Sequence, residues 1–91
     1  MDKRKRSKLE VCLEVLHIIS KGENKPTRIM YKANLSWVPL QETLKFLLSQ
    51  DLLRESTSSK RKEYFVTEKG KRVLTYFDRL KELLPYEIIK E

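Results

Sequence analysis

Residues 27–50 read TRIMYKANLSWVPLQETLKFLLSQ, and this stretch holds two amphipathic helical patterns on either side of a turn. The first pattern predicts a short helix over residues 27–33, with Thr27 as its N-cap. Asn34 follows, and asparagine tolerates the left-handed backbone that a tight turn between helices needs. Ser36 then predicts the N-cap of another helix, whose leucines form one buried side. Two helices joined by so short a turn form a helix-turn-helix.

Helices are also predicted towards both ends of the chain. Apolar side chains recur at three- and four-residue steps over residues 7–21, and Gly22 then supplies a stop. Further along, Thr67 predicts the N-cap of a last helix, and Pro85 ends or kinks it. This last helix carries an apolar seam at steps of four, three and four residues, made of Val73, Phe77, Leu80 and Leu84.

Between the helix-turn-helix and the last helix, the sequence predicts a β-hairpin. Residues 52–55 and 63–66 are short segments rich in leucine, aromatic and β-branched side chains, as expected of strands. Residues 56–62 are polar and end in three cations, which predicts a flexible projecting loop. A hairpin in this position is the wing of a winged helix-turn-helix.

Composition narrows the function. The 91 residues are enough for one domain and include 20 Lys and Arg against 13 Asp and Glu, a net charge of +7. Such an excess favours a polyanionic partner, most often nucleic acid, although a solvated charged surface is the plain alternative. A single cysteine, Cys12, with a single histidine, His17, offers neither a disulfide nor a metal site. With no apolar run for a signal peptide or a membrane span, we expect a cytoplasmic protein without a membrane partner.

The residues do not predict catalysis. The sequence contains no recognisable nucleophile, histidine and carboxylate set, no glycine-rich phosphate loop and no paired acids in an apolar setting. Cys12 falls on the apolar stripe of the first helix and is best interpreted as a core residue. We therefore predict no enzymatic activity, no cofactor, no metal and no evident small-molecule ligand.

The order of these elements resembles the winged helix-turn-helix superfamily. Its most specific part is Asp51-Leu52-Leu53 followed by Tyr64-Phe65-Val66-Thr67-Glu68-Lys69-Gly70, which is similar to a recurring run of that superfamily. Residues 5–10 and 27–36 further resemble the small archaeal winged-helix proteins related to 10-kDa chromatin-associated proteins. The resemblance extends over about residues 5–84 and implies a mainly α fold with a small β-hairpin wing. It also implies DNA-binding homodimers that pair as a coiled coil through their C-terminal helices.

The predicted elements and the family resemblance together divide the chain into three parts. Residues 1–6 form a basic arm, residues 7–66 the winged helix-turn-helix DNA-binding domain, and residues 67–91 a C-terminal helix for dimerisation. The predicted dimer interface is Val73, Phe77, Leu80 and Leu84. Because Pro85 cuts this seam at two heptads, a stable dimer needs further surface, for which the candidates are Leu83, Ile88 and Ile89.

The DNA-contacting residues follow from how such folds dock, with the third helix in the major groove. The predicted base-reading set of that helix is Ser36, Trp37, Gln41, Glu42 and Lys45. Gln41 suits adenine, and Lys45 suits guanine or phosphate. Two of the five have alternatives, because Trp37 could instead pin the turn to the core and Glu42 could simply pair with Lys45.

Three further groups are predicted to contact the DNA, at its phosphates or, for the wing, in the minor groove. The plain alternatives are a solvated hairpin tip for the wing and an arm that serves solubility alone. The second helix contributes Arg28, Tyr31 and Lys32. The wing contributes Lys60, Arg61 and Lys62. The arm contributes Lys3, Arg4, Lys5 and Arg6.

The predicted function is double-stranded DNA binding, as a transcription regulator or a chromatin-associated protein, with or without sequence preference. The alternative is a winged-helix module that docks onto another protein such as the transcription machinery. RNA is less favoured, because the sequence offers no aromatic platform for stacking single-stranded bases.

Overall fold

In the computed structural model, which describes residues 6–85, helices pack against one end of a small antiparallel hairpin. The elements in chain order are α1 (Lys8–Ser20), α2 (Pro26–Ala33), α3 (Trp37–Ser49), β1 (Leu53–Ser58), β2 (Arg61–Val66) and α4 (Glu68–Leu83). The predicted mainly α fold with a hairpin wing is thereby confirmed. The predictions for Lys3, Arg4, Lys5, Ile88 and Ile89 concern positions outside the described residues.

The core is built where α1, α2, α3 and the hairpin meet. Its members are Val15, Leu16, Ile19, Ile29, Ala33, Leu40, Leu44, Leu47, Leu53 and Tyr64. Helix α1 begins with a capping box, in which the Ser7 hydroxyl accepts from Glu10 N–H while the Glu10 carboxylate accepts from Ser7 N–H. Leu9, predicted on the buried stripe, is 50% exposed, because it stands in the first turn of α1, before the residues that contact the core.

The turn between α2 and α3 has the predicted left-handed residue. Asn34 has φ 56°, and Leu35 N–H donates back to Met30 C=O at 3.1 Å, which closes the end of α2. The start of α2 differs from the prediction, because the helix begins at Pro26 and Thr27 is not its N-cap. Proline has no N–H to satisfy and a fixed φ that suits the first helical position, so the helix starts one residue earlier.

The hairpin is longer and tighter than predicted. The pairing runs from Leu53 opposite Val66 to Ser58 opposite Arg61, so most of the expected flexible loop is strand. Only Ser59 and Lys60 form the turn, with φ values of 52° and 66°, as in a two-residue type I′ connection. The loop prediction was wrong because this part of the hairpin extends beyond the core, where no apolar residue alternates with the polar ones.

Helix α4 begins on the core and continues away from it. The Thr67 hydroxyl accepts from Gly70 N–H at 3.0 Å, as predicted for the N-cap, and donates to Asp51 C=O at 2.7 Å. Gly70 is buried, and Val73 and Leu74 pack against the core. The later turns of α4 carry exposed apolar side chains instead: Tyr76, Leu80, Leu83 and, just after the helix, Leu84.

Candidate nucleic-acid interface

Helix α3 presents one polar and partly apolar face to solvent. Leu40, Leu44 and Leu47 are buried on the opposite side. The outward face of α3 consists of the exposed residues at steps of four, three and four: Val38, Glu42, Lys45 and Ser49. One acid and one base stand on it, so this face contributes no net charge of its own.

The structure separates the five predicted base-reading residues. Glu42 and Lys45 lie on the outward face, whereas Gln41 is half-buried at its edge. Trp37 is 48% exposed in the first turn, so its side chain is not enclosed by the core. Within the described chain, Glu42 and Lys45 form no ion pair, so the structure gives no support to the interpretation of Glu42 as a partner of Lys45.

The prediction missed two residues of this face, Ser49 in the last turn of α3 and Val38 in the first. Val38 is 62% exposed and precedes Glu42 by four residues, so the two side chains are neighbours on the helix surface. The four-residue spacing between Val38 and Glu42 could have predicted that Val38 is exposed. An apolar residue next to Trp37 is, however, more simply interpreted as a core residue.

The two helices of the helix-turn-helix differ from the others at their N-termini. Ser7 and Thr67 cap α1 and α4 through their side chains, whereas neither α2 nor α3 has a side-chain cap hydrogen bond. Ser36 occupies the N-cap position of α3 without its hydroxyl accepting there. The first N–H groups of α2 and α3 therefore lack the capping side chain that usually satisfies one of them, and such ends are favourable for an anion.

The outer side of α2 carries the predicted Arg28, Tyr31 and Lys32, all exposed. Glu23 lies 3.5 Å from Arg28 and 3.6 Å from Lys32, so the three groups together carry one net positive charge. Both cations remain more than half exposed, and an exposed pair of this kind holds its partners weakly. Tyr31 is 78% exposed beside them.

The three predicted wing cations point in different directions. Lys60 is in the turn, while Arg61 and Lys62 are consecutive in β2 and so lie on opposite faces of the hairpin. In residues 6–85 none of the three forms an ion pair. Arg54 was not among the predicted site residues. It stacks on the ring of its cross-strand neighbour Phe65 at 4.7 Å and adds a positive charge to that face of the hairpin.

Arg6 is the one arm residue that the structure describes, and it is bound within the protein. Its guanidinium donates to Ala33 C=O at 2.6 Å and to Asn34 C=O at 3.0 Å, and it pairs with Glu14. A cation at the C-terminal end of α2 is favourable for the helix dipole. Arg6 therefore ties α1 to the turn of the helix-turn-helix, with 28% of its side chain exposed.

Elsewhere, the described surface has a groove, but it has no cluster of side chains that could bind a metal ion. A groove of about 450 Å³ lies between α1 and α4, lined by both signs of charge and by apolar residues that include Leu13, Leu74 and Phe77. Among the described residues, no three of His, Cys, Asp or Glu are close enough to hold a metal ion. Burial raises the pKa of the Cys12 thiol, which agrees with a packing residue. No helix in residues 6–85 is both long and apolar enough to cross a bilayer.

Comparisons with known proteins agree with this architecture. A family model described as winged helix-turn-helix matches residues 5–84. The uncharacterized protein MJ0287 of Methanocaldococcus jannaschii is 42% identical over 80 residues, which cover 88% of this chain and 78% of that protein. The crystal structure of Sso10a-2, a DNA-binding protein from Sulfolobus solfataricus, matches with a TM-score of 0.75 and 28% identity, covering 86% of this chain and 81% of that one.

A more distant match shares the fold alone. Streptococcus pneumoniae FabT, in a structure in complex with DNA, matches with a TM-score of 0.69 at 15% identity. The match covers 86% of this chain but only 57% of the FabT chain.

Proposed function

This chain belongs to the winged helix-turn-helix family, and from that membership we propose that it binds double-stranded DNA as a homodimer. Helix α3 enters the major groove, the N-termini of α2 and α3 meet phosphates, and the wing contacts the backbone or the minor groove on one flank. The relative Sso10a-2 is a DNA-binding protein, which supports the proposal.

The observation that carries the proposal is the contrast between helix ends. The helices outside the helix-turn-helix are capped by side chains, whereas both helices inside it are not, in a chain of net charge +7. A helix end without a side-chain cap is satisfied by water or by a ligand, and phosphate is well suited to it because of the helix dipole. The unpaired cations of the wing add to the same attraction.

The distribution of charge favours phosphate contacts as the main source of affinity. The outward face of α3 carries one acid and one base, whereas α2 carries two cations and no acid, and the wing carries four cations against two acids. We therefore propose sequence-tolerant binding with a modest preference, as expected of a chromatin-associated protein or a regulator without a separate effector domain. Bound in this way, the protein is associated with the nucleoid.

Duplex binding across a salt series tests the proposal. Fluorescence anisotropy with a random-sequence duplex of about 30 base pairs, from about 50 to 300 mM salt, should give an association constant that falls linearly with log salt. Lys60→Glu with Lys62→Glu should weaken binding to every duplex and reduce the slope by about two for each protomer, about four for the dimer, one for each lost phosphate contact.

The matched control is Lys21→Glu with Lys71→Glu, which changes the charge by the same amount away from the wing and from the exposed end of α4. Both lysines are exposed. Lys21 forms no ion pair within residues 6–85, and Lys71 lies 3.4 Å from Glu68 in an exposed pair, so their loss should scarcely change stability. If the control variant binds duplex as weakly as the wing variant, the interaction depends on the net charge of the protein and not on the position of the wing cations.

A protein-docking role is the second candidate, because Leu9 and Phe46 are apolar, 50% and 51% exposed, respectively, and unrelated to the wing. A parent protein that fails to bind duplex even at low salt would favour this role over the first.

A further inference from the structure

Val38 lies at an exposed position where its side chain does not pack against the core of the protein. The side chain is 62% exposed in the first turn of α3 and is not among the residues packed against the core. A β-branched residue also loses side-chain freedom in a helix, so alanine would serve the helix better at an exposed position. Neither packing nor helix propensity therefore explains this valine.

Its position on α3 suits contact with bases. The N-terminal part of a recognition helix is the part that contacts base edges, and Val38 is the first residue of the outward face. A valine side chain neither donates nor accepts a hydrogen bond, so in the major groove its favourable partner is the one apolar group there, the 5-methyl group of thymine. Glu42, one turn further, can accept from an exocyclic amino group at the next base pair.

We propose that Val38 contacts a pyrimidine 5-methyl group and gives the protein a preference for methyl-bearing duplex DNA. This inference rests on the proposed function, because it requires α3 to lie in the major groove. The size of the effect follows from removing one methyl group from water, which predicts about a fourfold difference in affinity for each half-site. A dimer that engages two half-sites should show about a fifteenfold difference.

Uracil-containing DNA tests the proposal without knowledge of a preferred site. Alternating adenine–thymine and adenine–uracil duplexes present the same hydrogen-bonding groups in the major groove and differ in the methyl group. Alternating guanine–cytosine and guanine–5-methylcytosine duplexes make the same comparison in a different sequence. Affinities for all four are measured by competition against one labelled duplex at a single salt concentration, because salt alone changes affinity strongly.

Three proteins are compared: the parent, Val38→Ser and a control, Leu9→Ser. Leu9 is 50% exposed on α1, outside the outward face of α3, so this substitution also replaces an exposed apolar side chain with serine. The ratio of affinities for methylated and unmethylated duplex is the readout, since a change in folding or in phosphate contacts affects both affinities equally. Circular dichroism verifies that each variant is folded.

The parent and Leu9→Ser should bind the methyl-bearing duplexes about fourfold to fifteenfold more tightly, and Val38→Ser should bind both members of each pair equally. A parent that binds duplex DNA without distinguishing the pairs would overturn this inference and leave the proposed function intact. A preference that persists in Val38→Ser would also overturn it, because the discrimination would then come from the DNA or from another residue. A parent that binds none of the duplexes would overturn the proposed function as well.

Discussion

At the scale of single residues, Gly70 is a position where the surrounding atoms leave no space for a side chain. A β-carbon there would overlap Leu52 C=O and would lie 2.6 Å from Val66 Cγ1, so α4 contacts the α3–β1 turn closely only because residue 70 has no side chain. The obstacle is partly backbone and cannot rotate away. Gly70 thereby fixes where α4 starts relative to the wing.

Gly70→Ala should therefore be strongly destabilising. Overpacking of this kind typically costs about 1–3 kcal/mol, and a rigid carbonyl as the obstacle puts this site at about 3 kcal/mol, a drop of roughly 15 °C in Tm. Urea and thermal unfolding followed by circular dichroism measure it. Lys71→Ala, on the exposed side of the same turn, should change stability by less than about 0.5 kcal/mol. Equal stability of the two variants would contradict the close contact.

Tyr64 makes folding sensitive to high pH. Its side chain is buried, and burial raises the pKa of the phenol above its ordinary value of 10.0, with further contributions from the charge of Glu55 and a hydrogen bond to its carboxylate. Between the ordinary and the raised pKa, the unfolded chain ionises while the folded chain holds its proton. This part of the stability is complete below pH 10 and is lost as the pH rises through the raised value.

The urea midpoint of the parent should accordingly decline more steeply above about pH 10 than that of Tyr64→Phe. Lysines also titrate in this range, but they do so in both proteins, so the difference between the two curves isolates Tyr64. Tyr31→Phe, which changes an exposed tyrosine, is the matched control. Parallel curves for the parent and Tyr64→Phe would mean that the phenol is not held neutral in the folded state.

At the scale of elements, the sequence predicted the features that depend on local residues, such as helix ends and turns. It missed features that depend on where an element lies in the folded protein, such as which side chains face solvent. The helices and the left-handed Asn34 follow from periodicity and capping residues, and both are present. The outward face of α3 was only half predicted, because the apolar side chain of Val38 indicates a buried residue although it lies one turn before Glu42, and because Gln41 lies at the edge of the core. The hairpin was predicted, but its outer part, residues 56–62, was predicted as a loop, since strands that leave the core lose the apolar alternation that identifies them.

The wing turn is the element where stability and binding should oppose each other. Ser59 and Lys60 both have positive φ, which favours Asn-Gly at these positions. Ser59→Asn with Lys60→Gly should raise stability by about 1 kcal/mol, because strain is removed from the turn. The same pair of substitutions removes a cation from each wing and should reduce the salt slope of DNA binding by about one for each protomer, about two for the dimer.

The control for this pair is Ser59→Asn alone, which should keep most of the binding and part of the added stability. Urea unfolding and anisotropy on the same preparations give both quantities. A gain in stability without any loss in salt slope would show that Lys60 does not contact phosphate.

At the scale of the whole molecule, α4 carries apolar side chains that the described residues, 6–85, leave exposed. Val73 packs on the chain's own core and Phe77 is half-buried with Lys81 above its ring at 5.5 Å, so neither is fully free to meet a partner. What remains exposed is a strip of Tyr76 at 60%, Leu80 at 45%, Leu83 at 78% and Leu84 at 41%. A contiguous apolar strip on a helix is suited to a second copy of the same strip.

The dimer prediction is therefore best tested at the exposed end of the seam. Leu80→Lys with Leu83→Lys introduces charge where the monomer does not need apolar side chains, so the fold should survive while the dimer separates. Light scattering after size exclusion should give the parent twice the chain mass of 10.9 kDa and the variant the single mass. Leu9→Lys with Phe46→Lys, which also replaces two exposed apolar side chains but outside α4, should remain dimeric.

The same variant links assembly to DNA binding. One protomer carries half of the phosphate contacts of a dimer, so the separated variant should bind duplex with about half the parent's salt slope. Weak binding with an unchanged slope would mean that both protomers still act together. A parent that elutes at the single mass, at concentrations where it binds DNA, would contradict the dimer outright. The wing and α3 would then have to supply the whole affinity from one chain.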